Sequence, residues 1–404
     1  MVDVEEPMNI DKLLAERTRK MSVNTIREIL KVVSRPGMVS LAGGIPAPES
    51  FPMDLLQVLT KTVLETYGPS ALQYDPTEGF APLREALPGY LESKKGLRAL
   101  PEEILIASGS QGVLDAAGKV FISKGDPVAV EAPTYLGAIH AFDPYEPRYV
   151  TLTSDDDGLI PESLEEVLAR EPVKFIYLVS TFQNPTGRTL TLERRRRIAG
   201  ILQAHDVLLI EDDPYGDLRY TGQHLPPIKA LAPGHVIYVS TLSKVFAPGL
   251  RIGYYLAPPE IRDWFVTVKQ GVDLHTSTFN QALAAEYIRG GYLEKHLPEI
   301  IDLYRPKKDA MLAALDRYFP PGFTWSKPAG GMFVWVEGPQ GYDMQALYHR
   351  CVRQNVAFVP GQFFYTRPEE GRHTMRLNFT MADEATLDRA IKKLADSTRI
   401  TPDR

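Results

Sequence analysis

Five short apolar runs, separated by longer amphipathic stretches, constrain the fold of this 404-residue chain more than any other feature. Each run has four or five residues and is rich in Val, Ile and Leu, and most are bounded by Gly, Pro, Asp or Ser. The runs are 104–107, 127–130, 175–179, 207–210 and 236–239. Continuous apolar strands between helical stretches are typical of a mostly parallel sheet covered on both faces, because neither face of such a strand meets water. The sequence therefore predicts an α/β fold.

The later part of the chain carries a second, smaller set of elements. A long amphipathic helix is predicted over 292–318, and strands are predicted at 331–336 and 356–359. Two sets of elements in a chain of this length indicate two domains. We expect an N-terminal segment over 1–50 that packs with the small domain, a large domain over 51–295 and a small domain over 296–404.

The N-terminal segment is expected to contain a helix over 11–33. Ile26, Ile29 and Leu30 share one face of it, and the pattern ends at Arg35-Pro36-Gly37. Further along, the run of four arginines at 194–197 is expected to form the solvated face of another helix.

Composition narrows the functional classes. With 44% hydrophobic and 24% charged residues, the chain does not resemble a disordered protein. The single cysteine, Cys351, excludes a disulfide framework and a cysteine-based zinc cluster, which favours the cytoplasm, and no metal site is expected. A net charge of −6 argues against nucleic acid as the main partner. The absence of a long apolar run or a basic, apolar leader predicts neither a membrane span nor a signal peptide.

Loops that follow the predicted strands are the places to look for a site, because ligands of open parallel sheets bind beyond the carboxyl ends of the strands. After 104–107 come Ser110 and Gln111 at a helix start, which could form an anion site or merely an N-capped turn. After 127–130 comes Tyr135, whose ring could serve a ligand or simply pack.

The next three loops add polar groups of other kinds. Asn184 lies in Asn184-Pro185-Thr186-Gly187, which by itself is a turn. Asp212 lies within three consecutive carboxylates after a buried strand, and such groups need a cationic partner. Tyr215 follows. Lys244 comes after 236–239, and although one lysine is weak evidence, this one lies at a strand end among hydroxyl groups.

Taken together, these loops supply every function that a phosphorylated pyridine aldehyde requires. Such a molecule needs a phosphate site, a ring to stack on, donors to its phenolate oxygen, a carboxylate for its ring nitrogen and an amine. In the same order these are Ser110, Gln111, Thr241, Ser243 and Arg251; Tyr135; Asn184 and Tyr215; Asp212; and Lys244. The joint occurrence of these groups in chain order, rather than any one of them, supports this interpretation.

The combined motifs resemble a known family. Ser-Gly-Ser-Gln, Gln-Asn-Pro-Thr-Gly, Glu-Asp-Asp-Pro-Tyr, and Ser-Thr-Leu-Ser-Lys followed by Gly-Leu-Arg-Ile-Gly resemble those of fold-type I pyridoxal-5′-phosphate (PLP) aminotransferases of class I/II. The branch with 2-aminoadipate (LysN-type) and kynurenine aminotransferases is the most similar. The resemblance extends over nearly the whole chain, and it implies a mostly parallel seven-stranded sheet in the large domain, a smaller α/β domain and PLP as cofactor.

The resemblance also implies a role for each residue. Lys244 would form the Schiff base with PLP and move the proton between the substrate Cα and the cofactor, and Asp212 would keep the ring nitrogen protonated. Asn184 and Tyr215 would donate to the ring oxygen, and Tyr135 would stack on the ring. The phosphate would be held by Ser110, Gln111, Thr241, Ser243 and Arg251. Tyr74 would reach the phosphate of the neighbouring subunit, which implies a homodimer with shared active sites.

On the substrate side, the resemblance implies that Arg376 binds the α-carboxylate in a bidentate fork, assisted by Asn184 and the backbone at Gly44. Arg27 would pair with the side-chain carboxylate of glutamate or aminoadipate and move away for leucine or aromatic side chains. A plain solvated helix face is the alternative for Arg27, and Asn24 stands where the related enzyme has a small hydroxyl residue.

The implied reaction is a ping-pong transfer of the amino group of an L-amino acid to a 2-oxo acid, with 2-oxoglutarate as the expected acceptor. Another PLP reaction type on the same fold, such as a β-lyase or an aminocyclopropane-carboxylate synthase-like reaction, shares all of the cofactor contacts. A regulator that senses PLP behind a winged helix-turn-helix is a third possibility, but it would need a basic N-terminal extension.

Overall fold

Strands and helices alternate along most of the chain in the computed structural model, which describes residues 8–19, 21 and 35–399. The strands in this part of the chain are β1 (Val39–Ser40), β2 (Ile104–Ser108), β3 (Pro127–Glu131), β4 (Arg148–Leu152), β5 (Ser154–Asp155), β6 (Gly158–Leu159), β7 (Ile176–Leu178), β8 (Leu209–Asp212), β9 (Val236–Thr241), β10 (Ile252–Leu256), β11 (Thr324–Trp325), β12 (Phe333–Glu337), β13 (Val356–Ala357), β14 (Val359–Pro360) and β15 (Thr374–Asn378). The α-helices are Met53–Tyr67, Ala81–Tyr90, Ser110–Phe121, Leu136–Phe142, Pro161–Arg170, Leu192–His205, Ile228–Leu231, Pro259–Gln270, Thr278–Arg289, Tyr292–Tyr318, Met344–Arg353 and Glu384–Thr398.

A seven-stranded sheet forms the centre of the larger part, with the strand order β2-β10-β9-β8-β7-β3-β4. Strand β10 is antiparallel to both of its neighbours, and the remaining pairs in the sheet are parallel. The five predicted apolar runs correspond to β2, β3, β7, β8 and β9. Strands β4 and β10 were not among those runs, because β4 is a half-exposed edge strand and Gly253 interrupts β10. The predicted α/β fold with a mostly parallel seven-stranded sheet is confirmed.

Helices cover both faces of this sheet, which explains why its strands are apolar on both sides. On one face, Leu114 and Phe265 belong to a buried cluster with side chains of β2, β3 and β9. On the other face, Leu164 and Leu202 pack with side chains of β7 and β8. Burial of these side chains supplies much of the stabilisation of such a layered domain.

One arginine of the run 194–197 does not behave as predicted. Arg195 is only 1% exposed, and its guanidinium group donates to the carbonyl oxygens of Leu190 at 3.0 Å and Ser180 at 2.9 Å. The prediction of a solvated face is therefore wrong for Arg195. A pattern of like charges does not reveal which of them turns inward, because the decision depends on acceptors that other segments supply.

A second, four-stranded antiparallel sheet has the order β11-β12-β15-β14. The helix predicted over 292–318 has these same bounds in the structure, and it packs against the helix Glu384–Thr398. The predicted strand over 356–359 divides into β13, which pairs with β1, and β14, which pairs with β15. Through β1, the segment before residue 50 is hydrogen-bonded to this part of the molecule, as Leu41 N donates to Ala357 O at 2.7 Å. The proposed domain boundaries at 50 and 295 stay a prediction.

The helix predicted over 11–33 is described only in part. Residues Ile10–Lys12 and Glu16–Arg19 form short 3-10 helices rather than one continuous α-helix. Residues 22–34, including the predicted apolar face, lie outside the described residues. None of the helices in the described part of the chain combines the length and apolar character needed to cross a bilayer.

Candidate active site

The loops after β2, β3, β7, β8 and β9 meet at one edge of the large sheet, because parallel strands end at the same edge. Arg251 lies at the same edge because β10 runs in the opposite direction and begins there. The second sheet contributes Arg376 from β15, and Gly44 follows β1. Two hydrogen bonds join the halves of the site, Lys244 Nζ to Gly44 O at 2.9 Å and Arg376 Nη1 to Asn184 Oδ1 at 2.8 Å.

Lys244 has the electrostatic surroundings of a reactive amine. Burial lowers the pKa of its ammonium group to about 8, and the positive charges of Arg251 and Arg376 act in the same direction. Near pH 8, the Lys244 side chain is therefore a neutral amine in an appreciable fraction of the molecules. The neutral amine is the form that attacks a carbonyl carbon.

The three consecutive carboxylates after β8 have different partners. Glu211 accepts from Ser180 Oγ at 2.6 Å and from the backbone N–H groups of Ile228 and Lys229, both at 2.9 Å. Asp213 lies 3.0 Å from Lys95 Nζ. Burial alone would raise the pKa of Asp213, but the charge of Lys95 and the hydrogen bonds from Lys95 and Tyr238 together outweigh burial and hold that pKa below its usual value. The predicted cationic partner is therefore Lys95, and it serves Asp213.

Asp212, between them, is buried and only half satisfied. Tyr177 donates its hydroxyl to Oδ2 at 2.9 Å. The other oxygen, Oδ1, is buried and has no hydrogen-bond partner among the described residues. Burial raises the pKa of this carboxyl to about 7. A buried carboxylate oxygen without a donor is costly, so its position favours a ligand that brings a donor or a positive charge.

The predicted anion cradle lies where backbones approach closely. The hydroxyl groups of Thr241 and Ser243 are 2.8 Å apart, and the helix Ser110–Phe121 starts beside them with free N–H groups in its first turn. A Cβ on Gly109 would stand 2.2 Å from Nη2 of Arg251, so the glycine leaves room for the guanidinium group in its present position. The side-chain amide of Gln111 already donates to Gly137 O at 2.7 Å, which leaves its backbone N–H for an anion.

The predicted aromatic, amide and phenol groups also lie at this edge. The ring of Tyr135 covers Gly137, where an added Cβ would come within 2.5 Å of ring atoms. Asn184 Nδ2 donates to the hydroxyl of Tyr215 at 3.2 Å. The ring of Tyr215 meets Phe333 edge-on, with 5.6 Å between centroids.

Arg376 is buried between two aromatic rings. Its Cζ lies 4.3 Å from the centroid of Phe333 and 4.9 Å from that of Phe364, and burial lowers the pKa of the guanidinium group to about 10. Nη2 donates to Ala42 O at 2.6 Å. The backbone partner of Arg376 is thus Ala42, and the carbonyl oxygen of Gly44 accepts from Lys244. The assisting contact of the Gly44 backbone with the substrate stays a prediction.

With this geometry in place, comparison with known proteins decides the family. The family model for aminotransferases of class I and II matches residues 38–394. The chain belongs to this family. The predictions that it is an aminotransferase, and of fold type I, are confirmed.

Relatives of this aminotransferase are similar over nearly their whole length. Aromatic-amino-acid aminotransferase 1 of Thermococcus litoralis is 44% identical over 396 residues, which cover 96% of this chain and 95% of the relative. The crystal structure of a multiple substrate aminotransferase from Thermococcus profundus is 43% identical, with a TM-score of 0.93 over 96% of this chain and 98% of its own. LysN, the α-aminoadipate aminotransferase of Thermus thermophilus, was solved in complex with N-(5′-phosphopyridoxyl)-L-leucine. It is 39% identical, with a TM-score of 0.89 over 96% of this chain and 98% of its own.

Of the predicted site residues that the structure describes, Tyr74 lies apart from the others in this aminotransferase. The ring of Tyr74 is 77% exposed and packs edge-on against His275, with 5.6 Å between centroids, so within a single chain it faces solvent. Arg27 lies outside the described residues. Cys351, far from the site in sequence, is buried.

Sequence reasoning missed four side chains of this aminotransferase that surround the site. Tyr177 lies within an apolar run and has the sequence pattern of a core residue, and Phe333 and Phe364 have the same pattern. Lys95 lies in Ser93-Lys94-Lys95, which resembles a solvated stretch. The sequence contains no local signal for these contacts, because each is made with a segment far along the chain.

Proposed function

We propose that this aminotransferase uses PLP, attached through Lys244. The observation that carries the proposal is the buried Oδ1 of Asp212, which has no donor among the described residues and stands in the site that also contains a lysine with a lowered pKa. A protonated pyridine nitrogen would supply the missing donor. The Thermus thermophilus relative, whose solved complex contains a phosphopyridoxyl group, supports this choice.

The residues at the sheet edge fit the other parts of that cofactor. Asn184 and Tyr215 would donate to the ring oxygen, and Tyr135 would lie against the ring. The phosphate would be held by Thr241, Ser243, Arg251, Ser110 and the backbone N–H of Gln111. When bound, PLP supplies an aldehyde carbon that takes up the amino group and a ring that accepts the electron pair left when Cα loses its proton.

Lys244 has two tasks in this proposal. Its neutral Nζ would be the nucleophile toward an aldehyde carbon, and the same amine would hold and move the proton that leaves the substrate Cα. Both tasks need an amine that gains and loses a proton near neutral pH, which a pKa of about 8 allows. Asp212 would hold negative charge for the ring nitrogen once a cationic ring is bound, and Tyr177 orients that carboxyl group.

Arg376 is proposed to bind the α-carboxylate of the substrate. Its two terminal nitrogens now contact Asn184 Oδ1 and Ala42 O, and a carboxylate could accept from the same fork. One arginine would serve the amino acid and the 2-oxo acid in turn, which is the basis of a ping-pong reaction. We propose 2-oxoglutarate as the acceptor.

The proposed amino donors are 2-aminoadipate and glutamate, together with leucine or aromatic amino acids. The relatives whose names refer to aromatic amino acids and to α-aminoadipate, and the leucine adduct in one of them, support this breadth. Arg27 is proposed to bind a side-chain carboxylate.

We further propose a cytoplasmic homodimer in which Tyr74 enters the neighbouring active site. A phenol that is 77% exposed in the single chain is free to donate to a group on a second subunit. The solitary buried cysteine suits a reducing compartment.

An amino-donor panel with 2-oxoglutarate as acceptor tests the proposal, together with reduction by borohydride. We expect glutamate production from 2-aminoadipate and from leucine or aromatic amino acids, and mass spectrometry should locate the reduced phosphopyridoxyl group on Lys244. A protein that never takes up PLP would overturn the cofactor assignment. Release of pyruvate and ammonia, without glutamate, from a donor that has a leaving group on Cβ would identify a β-lyase instead.

A further inference from the structure

Gln183, which directly precedes Asn184, uses its whole side-chain amide inside the protein. It is 5% exposed. Its Nε2 donates to Glu131 Oε2 at 2.9 Å and to Pro133 O at 3.0 Å. Its Oε1 accepts from the backbone N–H of Thr186 at 3.2 Å and from the hydroxyl of the same residue at 2.5 Å. The side chain therefore links two loops, one after β3 and one after β7.

Glu131, the acceptor in this link, is a buried carboxyl group that the proposed reaction does not use. It is 4% exposed and ends β3. Ser154 Oγ donates to its other oxygen at 3.3 Å. Burial raises the pKa of Glu131 to about 7, so the surroundings oppose its charge and the hydrogen bonds offset part of that penalty. Burying a carboxyl group costs free energy, so a buried carboxyl group near the site is expected to have a structural or functional role.

The link lies where the sheet itself can no longer hold the loops. Strands β3 and β7 are paired at Ala129 with Ile176 and at Val130 with Tyr177, and β7 ends at Leu178. Beyond that point the segments that follow the two strands are described but are no longer paired as neighbouring strands of the sheet. The contact between Gln183 and Glu131 continues the connection up to the residues that face the site.

We propose that Gln183 and Glu131 are positioning residues that hold Asn184 at a defined distance from the ring of Tyr135. The inference rests on the proposed function, because Asn184 and Tyr135 matter only if they contact the cofactor. It deepens that proposal by assigning a role to two residues that contact neither cofactor nor substrate.

Asn184 is a sensitive place for such control, since both ends of its amide are used. Nδ2 donates to Tyr215, and Oδ1 accepts from Arg376. A small displacement of Asn184 would disturb the proposed contact with the ring oxygen and the α-carboxylate fork together. Losses from such displacements are typically large even when the reacting groups themselves are intact.

Gln183→Leu tests the proposal, because leucine has a similar volume but cannot form these hydrogen bonds. The dissociation constant of PLP, followed by quenching of protein fluorescence, should rise about 10-fold, and KM for the amino donor should rise with it. The absorption of bound PLP changes with pH, and the midpoint of that change should also shift. Glu131→Gln keeps an acceptor for Gln183 and should change the PLP dissociation constant by less than about 3-fold.

Gln281→Leu is the matched control. Gln281 is also a fully buried glutamine, and its amide accepts from Phe80 N at 2.8 Å and donates to Thr276 O at 2.7 Å. Both leucine variants should lose thermal stability to a similar extent, but only Gln183→Leu should alter PLP affinity and the absorption midpoint. If Gln183→Leu does not fold, Gln183→Asn, which is too short to reach Glu131, is measured in its place.

The outcomes separate this inference from the proposed function. Wild-type protein that does not bind PLP would overturn the proposed function. Wild-type protein that binds PLP, alongside a folded Gln183 variant with unchanged affinity and an unchanged absorption midpoint, would overturn the positioning role alone. Equal losses of PLP affinity in the Gln183 and Gln281 variants would show that Gln183 contributes only to stability and would overturn the positioning role.

Discussion

Tyr177 donates its hydroxyl to Oδ2 of Asp212 at 2.9 Å and leaves Oδ1 of the same carboxylate buried without a donor among the described residues. The two residues lie on neighbouring parallel strands, β7 and β8, so the sheet holds donor and acceptor in place. One oxygen is thereby oriented by the protein, and the other is left with its hydrogen-bonding capacity free. This asymmetry is the feature that most favours a cationic ring nitrogen as the ligand.

Tyr177→Phe should weaken PLP binding by about 10-fold, because the carboxylate loses its orienting hydrogen bond at a cost of about 1.5 kcal/mol. Spectrophotometric titration of the apoprotein with PLP measures the effect. Tyr149→Phe is the matched control, since Tyr149 donates to Asp143 at 2.8 Å on the edge strand β4. If both variants bind PLP as tightly as the wild type, the orienting role of Tyr177 is refuted.

The rate at which PLP attaches covalently to the apoprotein should depend on pH with a midpoint near 8. The pKa of Lys244 is lowered to about 8, so the neutral amine is scarce below that pH and dominant above it. The rate should therefore rise with pH and level off above about 8 to 9. Stopped-flow absorbance measures this rate at steps of about one pH unit between about pH 6 and 10. A midpoint near the ordinary lysine value would contradict the proposed electrostatics.

Gly137→Ala should impair cofactor binding without unfolding the protein. The new Cβ would come within 2.5 Å of the Tyr135 ring, which must then move. Gly200→Ala lies in the helix Leu192–His205 with nothing within 4 Å of the added atom, and it should stabilise the protein by about 0.5–1 kcal/mol. Thermal unfolding and PLP titration of both variants separate the two effects. A Gly137→Ala protein with normal PLP affinity would show that the position of the ring is unimportant.

Lys95→Met should lower the free energy of unfolding by about 3–5 kcal/mol, because Asp213 and Asp217 would be buried without their shared cation. Lys95 Nζ lies 3.0 Å from both carboxylates. Urea unfolding measures the change. Lys61→Met is the control: its pairing with Glu65 at 3.7 Å is on the surface, so the stability should be unchanged. Equal stability of the Lys95 variant and the wild type would mean that the buried cluster is not held by charge.

A mixture of two inactive variants should regain activity if the dimer shares its sites. Lys244→Ala and Tyr74→Ala each damage every site of their own homodimer. In a mixed dimer, one site contains both lesions and the other contains neither, so random mixing should restore up to about a quarter of wild-type activity per protomer. Steady-state assays after co-refolding or co-expression measure this. Activity equal to the sum of the separate variants would exclude sharing through Tyr74.

Much of the site follows from the order of residues along the chain. Asn184, Asp212 and Lys244 could be predicted together because each follows an apolar run, and parallel strands deliver such positions to one edge. The partners of these groups could not be predicted. The contact of Arg376 with Asn184 joins residues 192 positions apart, and its contact with Ala42 spans 334. Local pattern carries no information on pairs at that distance.

The sequence by itself determined the layered α/β architecture and the set of reactive groups, because apolar periodicity and strand-end chemistry are local properties. The tertiary structure alone decided how those groups are tuned. It placed Tyr177 on one oxygen of Asp212, enclosed Arg376 between Phe333 and Phe364, and turned Arg195 inward. Each of these results depends on burial and on acceptors from distant segments, and both exist only once the chain has packed.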